Sequence, residues 1–133
     1  MGFDENWHVA TVKASKNVET IVRESAKKLF SKIILDTPID TGELKGDWSA
    51  SLLKPNTSPT GSLDLVGYTT IASVNSELAS FQMGQTIFLS NTKQYAYTVE
   101  FGSSRQAPTG MLRVNAIRWS NIVNSTATEY KNK

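Results

Sequence analysis

Residues 17–35 read NVETIVRESAKKLFSKIIL, and the spacing of their apolar side chains predicts a long amphipathic helix. Apolar residues recur every three or four positions, which places them on one wide face of a helix. The members of this stripe are Val18, Ile21, Val22, Ala26, Leu29, Phe30, Ile33 and Ile34. The stripe extends roughly back to Val9. The helix must end near Asp36, because Pro38 disfavours helical backbone at the residue before it.

The middle of the chain predicts a turn followed by two strands. Thr41-Gly42 is typical of a turn or a cap, and residues 48–52 alternate weakly, as an edge strand does. Residues 54–62, KPNTSPTGS, form the most loop-like segment, which we interpret as a link between two strands, either the tip of a hairpin or a flexible flap. Apolar and polar residues alternate again at positions 63–67, which predicts the returning strand.

The next segment predicts a helix and then a strand. Residues 70–83 place Ile71, Val74, Leu78 and Phe81 on one helical face, and Gly84 follows where a left-handed C-terminal residue is favoured. The short apolar run at positions 87–89 is typical of a buried central strand.

The last forty residues predict a loop and a final helix. Residues 95–101 fit a helical turn or a strand, and periodicity does not decide between them. Residues 102–110 read as a loop. Helical spacing resumes over 111–130, and the polar end is expected to fray near 128–133.

These elements predict an α+β fold in the order α-β-β-α-β-α. The long N-terminal helix and the further helices would pack on a small mixed or antiparallel sheet, since this arrangement buries every apolar stripe. The length of 133 residues fits one domain spanning the whole chain, residues 1–133.

Composition excludes several classes of function. The chain has no cysteine, which excludes disulfides, thiolate metal sites and a cysteine nucleophile. Its 14 basic and 12 acidic residues are nearly balanced, whereas a nucleic-acid binder usually carries a clear basic excess. No apolar run is long enough to span a bilayer, and the N-terminus lacks the pattern of a secretory signal. We therefore expect no membrane association.

The polar residues do not form a recognisable catalytic or metal-binding pattern. The single histidine, His8, lies near a terminus without partners for a metal or for acid–base chemistry. Four carboxylates fall within twelve residues, but they lack the ligand spacing and the fixed glycine of a calcium loop, so we interpret this cluster as capping groups. It consists of Asp36, Asp40, Glu43 and Asp47. No glycine-rich phosphate loop or nucleophile elbow is present. We expect no enzyme activity, no cofactor and no metal.

Two motifs carry most of the functional information. Residues 37–44 read TPIDTGEL, and residues 95–103 read YAYTVEFGS, followed by Ala107-Pro108. In this order and spacing they resemble the neck and tail-completion proteins of long-tailed bacteriophages, which join the head to the tail. The resemblance covers most of the chain. Two positions depart from it: Ser103 replaces the usual threonine, and no aromatic residue follows Ala107-Pro108 closely.

The resemblance implies a structural virion protein, made in the host cytoplasm and placed in the neck or upper tail. It implies a homo-oligomeric ring between head-closure or adaptor proteins and the tail terminator, with DNA passing through without sequence-specific binding. The flap at 54–62 and the termini would be natural contacts between rings. The structural and interface candidates are Asp40, Thr41, Gly42, Lys45, Tyr95, Tyr97, Glu100, Phe101, Gly102, Arg105, Pro108 and Arg113.

Two local hypotheses concern the second motif. We expect Glu100 to be partly buried and paired with Arg113 or Lys45, because an unpaired buried charge is costly. We expect Gly102 to adopt a positive φ. The aromatic residues could pack on the long helix, contact a neighbouring subunit or stack nucleic-acid bases. A small nucleic-acid-binding module is therefore the alternative function.

Overall fold

The computed structural model describes residues 3–39, 41–102, 106–107 and 109–131, with side chains from residue 17 onward. Within these residues it contains six α-helices and two β-strands. They are α1 (Phe3–Asp36), α2 (Glu43–Gly46), β1 (Ser49–Ser51), α3 (Tyr68–Leu78), β2 (Phe88–Ser90), α4 (Tyr95–Glu100), α5 (Arg113–Ala116) and α6 (Trp119–Lys131). The predicted α+β class, with a long N-terminal helix and a small sheet, is confirmed.

Helix α1 is the element around which the others pack. It contacts α3, α5 and α6, and α3 in turn packs on β1. The predicted stripe forms much of the core: Ile33 and Ile34 are almost fully buried, and Ala26, Leu29 and Phe30 are buried beside them. Val18 departs from the prediction, since 46% of its surface is exposed. The helix ends at Asp36, as predicted from Pro38.

The sheet has two antiparallel strands, with Ala50 opposite Leu89. The edge strand predicted over 48–52 is confirmed as β1. The run at 87–89 forms most of β2, but this strand is half-buried and has one strand neighbour, so it is not a central strand. The predicted order α-β-β-α-β-α is wrong in one strand, because no strand forms at residues 63–67, between β1 and α3.

The segment predicted to return as a strand, residues 63–67, is irregular and leads directly into α3. The carboxylate of Asp64 accepts hydrogen bonds from the backbone N–H groups of Val66 and Gly67. Those groups would be needed for a strand ladder, so the side chain diverts the backbone into a turn. The segment at 54–62 has no helix or strand and connects β1 to α3, not two strands of a hairpin.

Three further predictions concern the second half. Gly84 has a φ of +95°, but it lies in a turn closed by a hydrogen bond from Gln85 N–H to the Gln82 carbonyl, beyond the end of α3 at Leu78. Residues 95–100 are helical, so of the two structures that the sequence allowed for this segment, a helical turn and a strand, the helix is the one that forms. The C-terminal helix is divided into α5 and α6, and α6 continues to Lys131.

No helix among the described residues is both long and apolar enough to cross a membrane.

Candidate functional site: the junction of the two motifs

The first motif begins by closing the C-terminal end of α1. The Thr37 hydroxyl donates to the Ile33 carbonyl at 2.7 Å and accepts from the Trp48 indole N–H at 2.8 Å. Both residues are buried. The Thr37 hydroxyl therefore satisfies a carbonyl group at the end of α1 and fixes the ring of Trp48, the residue before β1.

Gly42 forms the turn after α1 at a φ of +86°. Its carbonyl accepts two hydrogen bonds, from Gly46 N–H at 2.9 Å and Asp64 N–H at 3.0 Å. A Cβ at this position would lie 2.9 Å from the Asp64 nitrogen, so the close approach also requires glycine. Thr41 accepts from the Glu43 N–H at 3.4 Å, which agrees with the predicted capping role.

Lys45 is buried, with 2% of its surface exposed, and its ammonium donates to the Leu35 carbonyl at 3.3 Å. The position suits a cation, because carbonyl groups at a helix C-terminus carry partial negative charge. Burial lowers the pKa of Lys45 below its usual range, against the opposing effect of the Asp64 and Asp36 carboxylates. Lys45 is not the partner of Glu100.

Glu100 is the polar centre of the second motif. Its carboxylate accepts from the backbone N–H groups of Met111 (2.8 Å), Leu112 (2.7 Å) and Arg113 (2.9 Å), and from Arg113 Nε at 3.1 Å. It is 7% exposed. The predicted burial and pairing of Glu100 are confirmed, with Arg113 as the partner. The carboxylate caps α5 from a distant position in the chain.

The hydrogen bonds of Glu100 determine its protonation state. Burial alone would raise the pKa of the carboxyl group. The three backbone donors and the guanidinium outweigh that effect and hold the pKa below its usual value. The group is therefore a saturated anion, without a free acceptor for a substrate proton.

Two glycines with positive φ lie close to Glu100, Gly102 along the chain and Gly110 in space. Gly102 has a φ of +89°, which confirms its predicted positive φ. Gly110 has a φ of +85°, and a Cβ there would lie 2.3 Å from the Glu100 carbonyl oxygen and 2.6 Å from Oε1. Sequence reasoning missed Gly110, since a close approach between residues ten apart leaves no local pattern.

Gln106, which lies between the second motif and Ala107-Pro108 in the chain, bonds to Ile39 of the first motif. Ile39 N–H donates to Gln106 Oε1 at 2.8 Å, and Gln106 Nε2 donates to the Ile39 carbonyl at 3.0 Å. A groove of 370 Å³ lies beside this link. Its lining comes from both motifs and from Gln106; the motif residues are Pro38, Ile39, Thr41, Gly42, Leu44, Tyr95 and Val99. The structure thus brings together two motifs that are about fifty residues apart.

The outer face of the second motif carries an exposed cluster that we name the aromatic platform: Tyr97, Phe101 and Arg113. The rings of Tyr97 and Phe101 have centroids 4.6 Å apart, and the guanidinium carbon of Arg113 lies 4.3 Å above the Phe101 ring. Tyr97 is 74% exposed and Phe101 57%. Both rings therefore face outward. Tyr95, also on α4, is 41% exposed.

The acidic cluster does not converge on one point. Asp36 accepts from Lys32 and Asn115, and Asp47 accepts from the Thr60 N–H and the Thr92 hydroxyl. Glu43 is exposed. Within the described part of the chain, no three His, Cys, Asp or Glu side chains form a group suited to a metal ion.

Asp64 is a second saturated carboxylate, which sequence reasoning also missed. It accepts from the N–H groups of Val66 (3.1 Å), Gly67 (2.7 Å) and Thr70 (2.9 Å), and from the Thr70 hydroxyl at 2.7 Å. Burial raises its pKa, but the four hydrogen bonds lower it further, to about 2. An aspartate shortly before a helical run was the available signal.

Three candidate residues, Asp40, Arg105 and Pro108, lie outside the described residues, as do Ser103 and the side chain of His8. The structure places the other candidates in three groups. Thr41 and Gly42 precede α2 and Lys45 lies within it, Glu100 and Gly102 lie at the end of α4 and just after it, and the aromatic residues with Arg113 face outward.

Comparison with known proteins gives no match to a family model, to a curated protein or to a solved structure.

Proposed function

We propose that this chain is a structural subunit of the neck or upper tail of a tailed bacteriophage. Copies of it would form a ring that joins the head to the tail and lets DNA pass. The proposal starts from the resemblance of the two motifs to neck and tail-completion proteins. The aromatic platform is the single observation that carries it further, because it is an exposed surface in which Tyr97 and Phe101 of the second motif meet Arg113.

The chemistry of the platform favours a protein partner. Tyrosine and arginine are enriched where protein interfaces contribute most of their binding energy. The Arg113 guanidinium donates through Nε to the Glu100 carboxylate and through Nη2, at 3.1 Å, to the Glu100 carbonyl. Its charge is compensated inside the subunit, so the platform offers aromatic area with little net charge.

Buried polar groups and glycines in and near the two motifs serve the fold. Glu100 and Asp64 have their acceptor sites filled by donors of the chain itself, and Gly42 and Gly110 permit close backbone contacts. This division of roles is typical of an assembly subunit: buried polar groups fix the loops, and apolar side chains are left outside for a partner.

The test is the mass of the purified chain in solution, measured by light scattering alone and after mixing with tails or DNA-filled heads of the parent phage. We expect a ring-sized species, or a monomer that joins one of these particles. Tyr97→Ser should weaken that assembly at least several-fold. Val18→Ser, which removes an exposed apolar side chain from α1, is the matched control.

The opposite result would be a monomer that ignores both particles. If that monomer also retarded DNA at low salt and lost the effect as salt increased, the exposed rings would serve base stacking, and the chain would be a nucleic-acid-binding module.

A further inference from the structure

The two outer edges of the sheet are not equally covered. At β1, the Asn56 side chain donates to the Ser49 hydroxyl at 3.0 Å and to the Ala50 carbonyl at 3.4 Å, and only 4% of Ala50 is exposed. At β2, by contrast, no hydrogen bond joins Phe88–Ser90 to a described residue outside β1. All three residues of β2 are half-buried. A strand with one neighbour presents its remaining N–H and C=O groups along its other edge, so the sheet is open at β2.

The sequence around β2 lacks the features that normally protect an open edge. Residues 86–92 read TIFLSNT and contain no charged residue and no proline. Natural proteins usually place a lysine, a proline or a covering element at such an edge, because its free backbone groups pair readily with another extended chain. The β-branched and aromatic residues of this stretch favour extended backbone. The open edge therefore keeps the capacity to accept a further strand.

An apolar groove of 410 Å³, which we name the core groove, lies beside the segment that leads into β2. Residues 85–87 form one wall, and Val22, Phe30 and Trp119 are among the apolar residues of the other walls. None of the three residues of β1 lines the groove, which places it on the open side of this segment. Its volume is near the lower end of the roughly 300–1,000 Å³ that is typical of ligand pockets. The core groove therefore suits one large apolar side chain, and not a whole loop or helix.

The open edge and the core groove together match one mode of recognition. In strand addition, an extended peptide bonds to the main chain of a sheet edge and places side chains in neighbouring pockets. The main-chain bonds supply affinity, and the pockets select the sequence. Here the groove wall at 85–87 continues directly into the strand at 88–90. A peptide that pairs with β2 would therefore reach the core groove with one of its side chains.

A second copy of the chain fits this surface less well. In the symmetric antiparallel pairing of two β2 strands, with Leu89 opposite Leu89, the residues opposite 85–87 are Asn91, Thr92 and Lys93 of the other copy. All three are polar, and the first two already form hydrogen bonds within their own subunit. Self-pairing would therefore place polar groups at an apolar groove. A strand of another protein, with an apolar residue at that position, is the better occupant.

We propose that an extended segment of a partner protein adds to the outer edge of β2 as a third strand and places a large apolar or aromatic side chain in the core groove. This inference goes beyond the neck function, because it follows from the edge and the groove alone. It gives the chain a second contact surface, which includes none of the residues of the aromatic platform.

The test starts from a displayed library of random linear peptides, selected on the purified wild-type chain. We expect the binders to share one large apolar or aromatic residue. A binder is then synthesised with N-methyl groups on alternate residues, in two versions that block opposite edges of the extended peptide. One version should bind roughly ten-fold or more weakly and the other should bind like the parent, since only one edge of the peptide bonds to β2.

Val22→Phe tests the core groove, because it adds volume to a residue of the groove lining. Val18→Phe makes the same change one turn earlier on α1, at an exposed position outside the lining, and is the matched control. We expect Val22→Phe to weaken peptide binding several-fold and Val18→Phe to leave it unchanged. Should Val22→Phe fail to fold, replacing the shared apolar residue of the peptide by serine tests the same contact on the wild-type chain.

Three results would overturn the proposal. They are a selection without binders, equal losses for the two N-methylated versions, and equal binding to Val22→Phe and to wild type. A dimer of the chain in which the amides of β2 become protected from hydrogen exchange would also overturn it, since a second copy would then be the occupant. Failure of the chain to join phage particles would leave the strand addition standing, so the neck function and this contact are tested separately.

Discussion

Asp64 and Glu100 perform the same task in two regions of the molecule, by different routes. Each is a buried carboxylate that accepts four hydrogen bonds and fixes an irregular segment before a helix. The donors of Asp64 are uncharged and lie within six residues of it. Those of Glu100 lie eleven to thirteen residues away and include a guanidinium. The Asp64 anchor is local, and the Glu100 anchor joins residues that are far apart along the chain.

The difference shows what each anchor requires of its surroundings. The Asp64 turn needs a positive φ at Gly67, and a Cβ there would meet the Ile34 side chain at 3.3 Å. The Glu100 loop requires Gly110 to lie against the Glu100 backbone itself. A side chain can shift by a few tenths of an ångström, whereas the backbone of α4 has less freedom. We therefore expect the long-range anchor to be the less tolerant of the two.

The largest expected effect comes from Gly110→Ala compared with Gly67→Ala. Both substitutions place a side chain at positive φ, at a cost of about 1–2 kcal/mol. Gly110→Ala adds a Cβ at 2.3 Å from the Glu100 carbonyl oxygen, so its total cost should reach about 3–5 kcal/mol or prevent folding. Urea unfolding of the two variants measures the difference.

Gly61→Ala is the matched control, because Gly61 has a φ of +73° and open space around its Cβ position. Gly61→Ala should lose only the stability that a side chain at positive φ costs, about 1–2 kcal/mol. Equal losses for Gly110→Ala and Gly61→Ala would mean that the contact with Glu100 is relieved at no cost, and the proposed intolerance of the long-range anchor would be wrong.

The next effect concerns the charge of the local anchor. Asp64→Asn replaces an acceptor oxygen by a donor that faces other donors, which should cost about 2–3 kcal/mol at pH 7. The folded-state pKa of Asp64, about 2, lies below the usual 3.8. Its contribution is therefore complete above about pH 4 and is lost as the pH falls towards 2; the shift corresponds to about 2 kcal/mol.

Urea unfolding of wild type and Asp64→Asn at pH values from 6 to 2 tests this prediction. The free energies of unfolding should converge as the pH falls, since wild type loses what the variant already lacks. A constant difference over the whole range would show that the Asp64 charge does not contribute to stability.

The sequence predicted the distant anchor and missed the local one. Glu100 is predictable because it lies between Val99 and Phe101 in an apolar segment, where a lone charge demands a partner. Asp64 lies in a stretch whose alternating pattern favours a strand over a turn. Leu63 and Leu65 produce the alternation, although their side chains face solvent and not a core.

The helical core was predictable, and the way in which the loops meet was not. The stripe of α1 follows a regular period, so Ile33 and Ile34 could be assigned to the core from spacing alone. No periodic sequence pattern predicts the hydrogen bonds between Ile39 and Gln106, because they depend on where the two segments lie after the helices have packed. The same holds for the contact of Gly110 with Glu100.

The smallest expected effect isolates the cation of the long-range anchor. Arg113→Lys removes the planar fork that bonds both the carboxylate and the carbonyl of Glu100, and it weakens the contact with the Phe101 ring. Because the Arg113 side chain is 63% exposed, the loss should be only about 0.5–1 kcal/mol and should shrink at high salt. A double-mutant cycle with Glu100→Gln measures the coupling. If the two substitutions add without coupling, the three backbone donors alone hold Glu100, and the two anchors are then alike in using uncharged groups.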